Sequence, residues 1–237
     1  MAELQLEPIG IIRSCFKEKF GIPRQPGLID AAEATLELLP PYNRAEAVRG
    51  LEGFSHVWLI FGFHATAAQG WRPTVRPPRL GGNARLGVFA TRSTFRPNPL
   101  GLSVVRLDGI DTGAGVSLRL AGVDLLDGTP VFDIKPYLPY ADALPGASGG
   151  FAPDDPPAPV QVRFAPQAER QLTLLQRERP RLRELVTQLL AYDPRPAYRS
   201  DSRAERDYGV KLYDLDVRWR MHGDVAEVTA LQRQNED

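Results

Sequence analysis

Seven arginines and no acidic residue lie between Gly53 and Leu107. Arginine presents a planar fork of donors that binds phosphate and carboxylate groups bidentately. The remaining chain carries the compensating acids, because the 29 basic and 29 acidic residues cancel overall. A GC-rich genome also favours arginine over lysine, but it does not explain the missing acids. The imbalance therefore indicates a polyanionic partner or substrate.

Two of these arginines, Arg92 and Arg96, occupy a proline-rich loop within residues 85–103. Apolar runs flank the loop, so we expect strand, wide loop and strand. Pro97 and Pro99 restrict the backbone, and such a loop loses little entropy when it holds guanidinium groups in place. An anion-binding loop has this composition, although a plain surface turn shares it.

A second basic segment, residues 69–83, combines Trp71 with Arg72, Arg76 and Arg79 and with several prolines. Arginines can contact RNA phosphates, and an aromatic ring can stack on a base. The simpler interpretation is a solvated loop with a tucked tryptophan.

Further candidates lie at the ends of apolar runs. Residues 16–28 form a Pro- and Gly-rich loop that exposes Arg24 and Gln25. The apolar run 54–64 predicts a strand buried on both faces, with His64 at its end. From the sequence alone, a connecting loop and a structural histidine remain the simpler alternatives.

Residues 131–142 begin with an alternating pattern that predicts a strand. Period two places Val131, Asp133 and Lys135 on one face, and Tyr137 follows. A charged face of this kind suits a pocket wall, and it is also a common feature of edge strands.

The elements that position these residues define a mainly β protein. Residues 1–144 contain about seven predicted strands and almost no helix, which favours a β-barrel. Residues 145–159 are rich in Pro and Gly and predict a linker. Residues 160–237 predict a small α+β domain with one strand, two helices and a hairpin over 210–219 and 225–231.

The sequence argues against several classes of protein. One cysteine and three scattered histidines make a metal site unfavourable. Rossmann, P-loop, zincin and nucleophile-elbow motifs are absent. No apolar run reaches membrane-spanning length, and no signal-peptide pattern is present, so we expect a cytoplasmic protein.

Several blocks resemble the TrmO (TsaA-like) family of tRNA adenine-N6 methyltransferases. They are EKFGIPRQPG (18–27), GLEGFSH (50–56), RPPR (76–79), GVFATRSTFRPNP (87–99), DGTP (127–130), DIKPY (133–137) and DPRPAY (193–198). The resemblance extends nearly end to end, and only the linker diverges.

The resemblance implies methylation of N6-threonylcarbamoyladenosine at tRNA position 37, with S-adenosylmethionine as cofactor. It implies a β-barrel homodimer with the cofactor near the subunit interface. The implied cofactor residues are Pro23, Arg24, Gln25, Phe63, His64, Arg92, Leu102, Leu125, Leu126, Asp127 and Gly128.

For the cofactor that the resemblance implies, Arg92 is suited to bind the carboxylate of the methionine part. Asp127 is suited to bind the ribose hydroxyls or the amino group. Asp133 and Tyr137 are candidate bases for the poorly nucleophilic acceptor nitrogen. The residues expected to contact tRNA phosphates are Arg72, Arg76, Arg79 and Arg96. The alternatives are a non-enzymatic RNA- or nucleotide-binding barrel and a hydrolase of a nucleotide-like substrate.

Overall fold

The computed structural model describes residues 5–80, 83–153, 160–195 and 206–234. Within these ranges the chain forms 12 strands and four α-helices. The helices in the described ranges are all too short or too polar to cross a membrane.

A closed, antiparallel barrel of six strands forms the larger part of the molecule, with a separate two-stranded ribbon beside it. The strands are β1 (Gly10–Ser14), β2 (Glu33–Leu38), β3 (His56–Gly62), β4 (Thr74–Val75), β5 (Leu86–Gly87), β6 (Leu100–Asp111), β7 (Ser117–Ala121) and β8 (Pro130–Pro136). Around the barrel the order is β1-β2-β7-β6-β3-β8, and β4 pairs with β5 in the ribbon. The predicted barrel is confirmed.

Strand β3 shows how the barrel is stabilised. Val57, Leu59 and Phe61 are buried, whereas Trp58 and Ile60 are only half-buried. Each fully buried side chain of this type contributes about 1.5–3 kcal/mol. The prediction that both faces are buried is wrong, because the second face forms the outer wall of the barrel.

Strand β8 contains an irregularity that reverses one expected face. Asp133 pairs with Ile60, but Val131 pairs with Phe61, so Phe132 is the extra residue of a bulge. Val131 is fully buried, while Asp133 lies on the outer wall beside Ile60. The prediction that Val131, Asp133 and Lys135 share a face is therefore wrong.

Short helical turns lie between or directly after the strands of this part of the chain. They are the 3-10 turns Ala45–Val48, Leu51–Gly53, Pro78–Leu80 and Val88–Ala90 and the helices α1 (His64–Ala67) and α2 (Pro139–Asp142).

The C-terminal part is a four-stranded sheet with two helices, as the predicted α+β class requires. Its elements are β9 (Gln161–Phe164), α3 (Pro166–Leu175), α4 (Leu182–Ala191), β10 (Asp207–Leu212), β11 (Leu215–His222) and β12 (Val225–Arg233). The sheet order is β10-β11-β12-β9. The prediction of a single strand over residues 210–219 is wrong, because a turn at Tyr213, with φ 55°, separates β10 from β11. Part of the predicted linker, residues 154–159, lies outside the described residues.

The C-terminal sheet docks on residues 15–21, which we call the docking segment. Phe16 forms a β-bridge with Leu212, and the Tyr213 amide donates to the Cys15 carbonyl at 2.7 Å. Phe20 stacks on Trp219 with ring centroids 6.1 Å apart. The docking segment leads directly into the loop that carries Arg24 and Gln25, so the sheet supports that loop from below.

Candidate functional site

Several loops meet at one end of the barrel, where β3 ends and β6 begins; we call this the site end. The Phe63 amide donates to the Pro99 carbonyl at 2.8 Å. The loop after β7, residues 122–129, joins from the other side, because the Gly27 amide donates to the Gly122 carbonyl at 2.8 Å. The site end therefore collects the segments that contain most of the predicted cofactor residues.

A direct contact joins two of these segments. The Arg92 guanidinium donates to the side-chain oxygen of Gln25. Arg24 and His64 are exposed, while Pro23 is half-buried. The Lys19 ammonium donates to the Ala65 carbonyl at 2.7 Å and ties the docking segment to α1.

The loop 122–129 is fixed from below by β1. The Ser14 hydroxyl donates to the Leu125 carbonyl at 2.7 Å, and the Gly128 amide donates to the Ile12 carbonyl at 2.8 Å. Leu125 is 1% exposed, so its side chain belongs to the core. Leu126 is half-buried, and Gly128 adopts a positive φ of 78° that favours glycine.

The two aspartates of this loop have different environments. Asp127 accepts a hydrogen bond from the Ser14 amide at 2.9 Å and pairs with the Lys17 ammonium at 2.8 Å. Both of its oxygens are thus engaged within the protein. In Asp124, Oδ1 is buried and has no hydrogen-bond partner among the described residues.

Burial raises the pKa of Asp124 to about 6, and the Ser103 hydroxyl and the Arg92 charge partly offset this rise. Ser103 projects from β6 and is 2% exposed. Neither Asp124 nor Ser103 is among the cofactor residues predicted from the sequence. The available signal was a carboxylate inside the apolar run 123–126, where an unpaired charge is costly.

The two candidate bases lie on the outer wall of the barrel. Asp133 pairs with Lys135 at 3.0 Å and accepts a hydrogen bond from the Ile134 amide at 2.9 Å. Tyr137 packs against the rings of His56 and Trp58. Their catalytic role stays a prediction.

Leu102 occupies the same outer wall. It pairs with Ile60, which in turn pairs with Asp133 on the other side. Leu102 is 53% exposed, an unusual fraction for a leucine in the middle of a sheet.

The basic arm consists of residues 71–80 and the β4-β5 ribbon. Arg72 lies over the ring of Phe95 at 4.3 Å, and Arg76 and Arg79 are exposed. Trp71 is also exposed, at 56%. The arm therefore presents positive charge and an aromatic face together, which suits RNA.

Arg96 is held by its own loop. Its guanidinium donates to the carbonyls of Val88 at 3.2 Å and Thr91 at 2.8 Å, and it lies over the ring of Phe89. These contacts shape the loop that presents Arg92. A contact of Arg96 with tRNA remains a prediction.

Within the described ranges, no group of three or more His, Cys, Asp or Glu side chains is arranged to hold a metal ion. The chemistry on offer is anion and polar-group recognition at the end of a barrel, beside a basic and aromatic arm. Fold and site thus define a non-Rossmann β-barrel with an end suited to a nucleotide-like ligand and an arm suited to RNA.

Comparison with known proteins identifies the family within that class. The model of the tRNA-methyltransferase O N-terminal domain matches residues 11–143, and the model of the TrmO C-terminal domain matches residues 157–234. The chain therefore belongs to the TrmO family, and the predicted resemblance is confirmed.

Individual relatives agree with this assignment. The tRNA (adenine(37)-N6)-methyltransferase of Escherichia coli is 54% identical over 98% of this chain and 99% of its own length. A crystal structure of TrmO from Pseudomonas aeruginosa has a TM-score of 0.82 at 47% identity and covers 99% of both chains. The human tRNA (adenine(37)-N6)-methyltransferase is 44% identical over 59% of this chain and 31% of its own length.

Proposed function

We propose that this protein is an S-adenosylmethionine-dependent methyltransferase that acts on N6 of N6-threonylcarbamoyladenosine at tRNA position 37. The observation that carries the proposal is the joined pair Arg92 and Gln25 at the site end, beside an arm free of acidic residues. Near end-to-end similarity to a relative named for the same reaction class supports it.

The residues at the site end fit the cofactor. Arg92 offers a guanidinium for a carboxylate, and Phe63 offers a half-buried aromatic ring. The unpartnered oxygen of Asp124 could accept a hydrogen bond from a ligand, since no residue in the described part of the chain donates to it. When bound, the cofactor supplies a methyl group on a positively charged sulfur.

The remaining predicted cofactor residues would contribute mainly through backbone and shape. The side chain of Leu125 is in the core and both oxygens of Asp127 are engaged, so this loop would offer backbone groups from residues 125–128. Pro23, Arg24 and His64 would border the opening. Methyl transfer is a single displacement, so this positioning would provide most of the acceleration.

The acceptor adenine would enter from the basic arm. Arg72, Arg76 and Arg79 lie on that arm and would contact phosphates near the anticodon, while Trp71 offers a stacking surface. Asp133 or Tyr137 would assist the acceptor nitrogen once it reaches the outer wall. A tRNA substrate also favours the cytoplasm as the place of action.

A second copy of the chain would complete the site. Leu102, Ile60, Trp58 and Val104 form a half-exposed apolar strip on the outer wall, and Leu102 connects it to the site end. Such a strip favours contact with another protein surface. A homodimer would cover it and bring a second chain beside the cofactor.

Mass spectrometry of tRNA nucleosides tests the reaction. After incubation with enzyme and S-adenosylmethionine, threonylcarbamoyladenosine should gain the mass of one methyl group, whereas tRNA lacking the threonylcarbamoyl group should gain none. The Asp133→Asn variant should lower the single-turnover rate if Asp133 acts as base. The absence of any mass gain, with tRNA binding intact, would favour the non-enzymatic RNA-binding alternative.

A further inference from the structure

The loop 122–129 contains one aspartate with both oxygens engaged and one with a buried oxygen that no described residue hydrogen-bonds. Asp127 already accepts from the Ser14 amide and pairs with Lys17. A ligand that used its carboxylate would have to share these oxygens with the contacts that hold the loop to β1 and to the docking segment. Asp127 therefore acts as an anchor of the loop, and an aspartate with an unused oxygen is the better partner for a ligand.

Asp124 has a carboxylate oxygen that is available to accept a hydrogen bond from a ligand. The residue as a whole is half-buried, and its carboxylate interacts with the hydroxyl of Ser103. Within the ranges that the structure describes, Oδ1 has no partner. A buried carboxylate oxygen without a donor is costly, and native proteins rarely leave one unused. Because this oxygen has almost no exposed surface, a ligand reaches it only when the loop 122–129 opens slightly. A cationic donor would then satisfy the oxygen and offset the cost of burying the charge.

The positive charge of Arg92 indicates which kind of ligand group would donate to Asp124. Arg92 acts on Asp124 through its charge, yet within the described residues no ion pair joins the two. The Arg92 guanidinium is bound instead to Gln25. A cation and an anion that are close but not paired form a receptor for a ligand that carries both charges. The α-amino acid end of the cofactor is such a group.

We propose that Asp124 binds the α-ammonium group of the cofactor through Oδ1, while Arg92 binds the adjacent carboxylate. Ser103 then orients the Asp124 carboxylate from β6, and Gln25 orients Arg92 from the opposite loop. The inference rests on the proposed cofactor and reassigns the amino-group contact from Asp127 to Asp124.

Calorimetry with three ligands tests this assignment. S-adenosylhomocysteine carries both charged groups, its desamino analogue lacks the ammonium, and 5′-methylthioadenosine lacks the amino-acid end. The Asp124→Asn variant should bind S-adenosylhomocysteine about 10- to 100-fold more weakly, since it loses a charge-assisted hydrogen bond. Its affinity for the other two ligands should stay within about twofold of the parent.

The matched control is Asp111→Asn, an exposed acid at the opposite end of β6, which should leave all three affinities unchanged. An equal loss for all three ligands would show that Asp124 only shapes the fold. Unchanged binding with a lost single-turnover rate would show that Asp124 serves the acceptor nitrogen. Either result overturns the proposal.

The parent protein provides an independent test if the variant does not fold. Binding of S-adenosylhomocysteine should tighten as the pH rises from 5 to 7, because the carboxylate must be ionised. Arg92 and Ser103 act on Asp124, and the imidazole of His64 is exposed at the same site end. The desamino analogue controls for His64, and an equal pH dependence for both ligands contradicts the proposal. These are binding measurements, so they stand even if no tRNA is methylated.

Discussion

Asp124 and Asp127 show how much one residue type can differ between neighbouring positions. The sequence identifies both as acids in an otherwise apolar stretch, and it offers Asp127 as the ligand-binding one. Asp127 contacts Ser14 and Lys17, whereas one oxygen of Asp124 has no partner among the residues that the structure describes. Spacing along the chain cannot reveal this difference, because the partners come from β1, the docking segment and β6.

Burial of Asp124 makes the free energy of unfolding depend on pH, and the sign of this dependence follows from the direction of the pKa shift. The folded-state pKa is about 6, against an ordinary value of 3.8. The folded state therefore holds this proton more tightly, and the group lowers the free energy of unfolding as pH rises from about 4 to about 6. The full effect is about 3 kcal/mol.

Asp124→Asn should remove this dependence while keeping a side chain that can interact with Ser103. Relative to the parent, the variant should gain about 3 kcal/mol in unfolding free energy between pH 4 and pH 8. Urea unfolding without ligand, at one protein concentration, measures the difference. A parent-to-variant difference that is constant with pH would mean that Asp124 is not buried as a charge.

At the scale of elements, the C-terminal sheet supports the loop that carries Gln25. Residue Gly21 closes the docking segment with φ +89°, and a Cβ there would lie 2.6 Å from Val210 Cγ2. Substitution must therefore push the segment away from β10. Such a shift propagates directly to Pro23, Arg24 and Gln25.

We expect Gly21→Ala to weaken binding of S-adenosylhomocysteine about tenfold, because the loop loses its positioning. The control is Gly50→Ala, whose φ of +87° is similar but whose Cβ would meet nothing within 4 Å. Both variants carry the left-handed strain of about 1–2 kcal/mol, so only the first should lose affinity. If calorimetry gave equal affinities for the Gly21→Ala and Gly50→Ala variants, the C-terminal sheet would not position the cofactor site.

The sequence predicted which segments form strands and helices more reliably than it predicted which side of a strand faces the core. The continuous apolar run 54–64 predicts the strand β3, and the two helices predicted for the C-terminal part are present as α3 and α4. The β8 bulge reverses the face of Asp133, because one extra residue shifts a period-two pattern by one position. The pairing partner decides the face, and the partner is distant in sequence.

At the scale of the whole molecule, the charge pattern predicted the basic arm correctly as a surface feature. The acid-free stretch includes Arg72, Arg76 and Arg79, which the structure places on exposed positions. Composition could not show that Arg96 binds carbonyls of its own loop. Charge counts record how many cations exist, but internal hydrogen bonds decide which of them face a partner.

The apolar strip on the outer wall also belongs to this scale. In a closed barrel the inner positions fill the core, so outer positions are normally polar. Here Ile60 pairs with Leu102, and Trp58 pairs with Val104, and all four remain partly exposed. A lasting interface buries about 800 Å² on each partner, so this strip would form only its centre.

Val104→Glu places a charge within that strip and should convert a dimer into a monomer, because burying an unpaired charge between two copies is costly. Sedimentation velocity at micromolar concentration measures the change. Leu174→Glu is the control, since Leu174 is 62% exposed on α3 of the C-terminal part. If the dimer completes the cofactor site through Leu102, the monomer should also bind S-adenosylhomocysteine more weakly. A Val104→Glu protein that stays dimeric would place the interface elsewhere, and a monomeric parent would remove the second copy from the site.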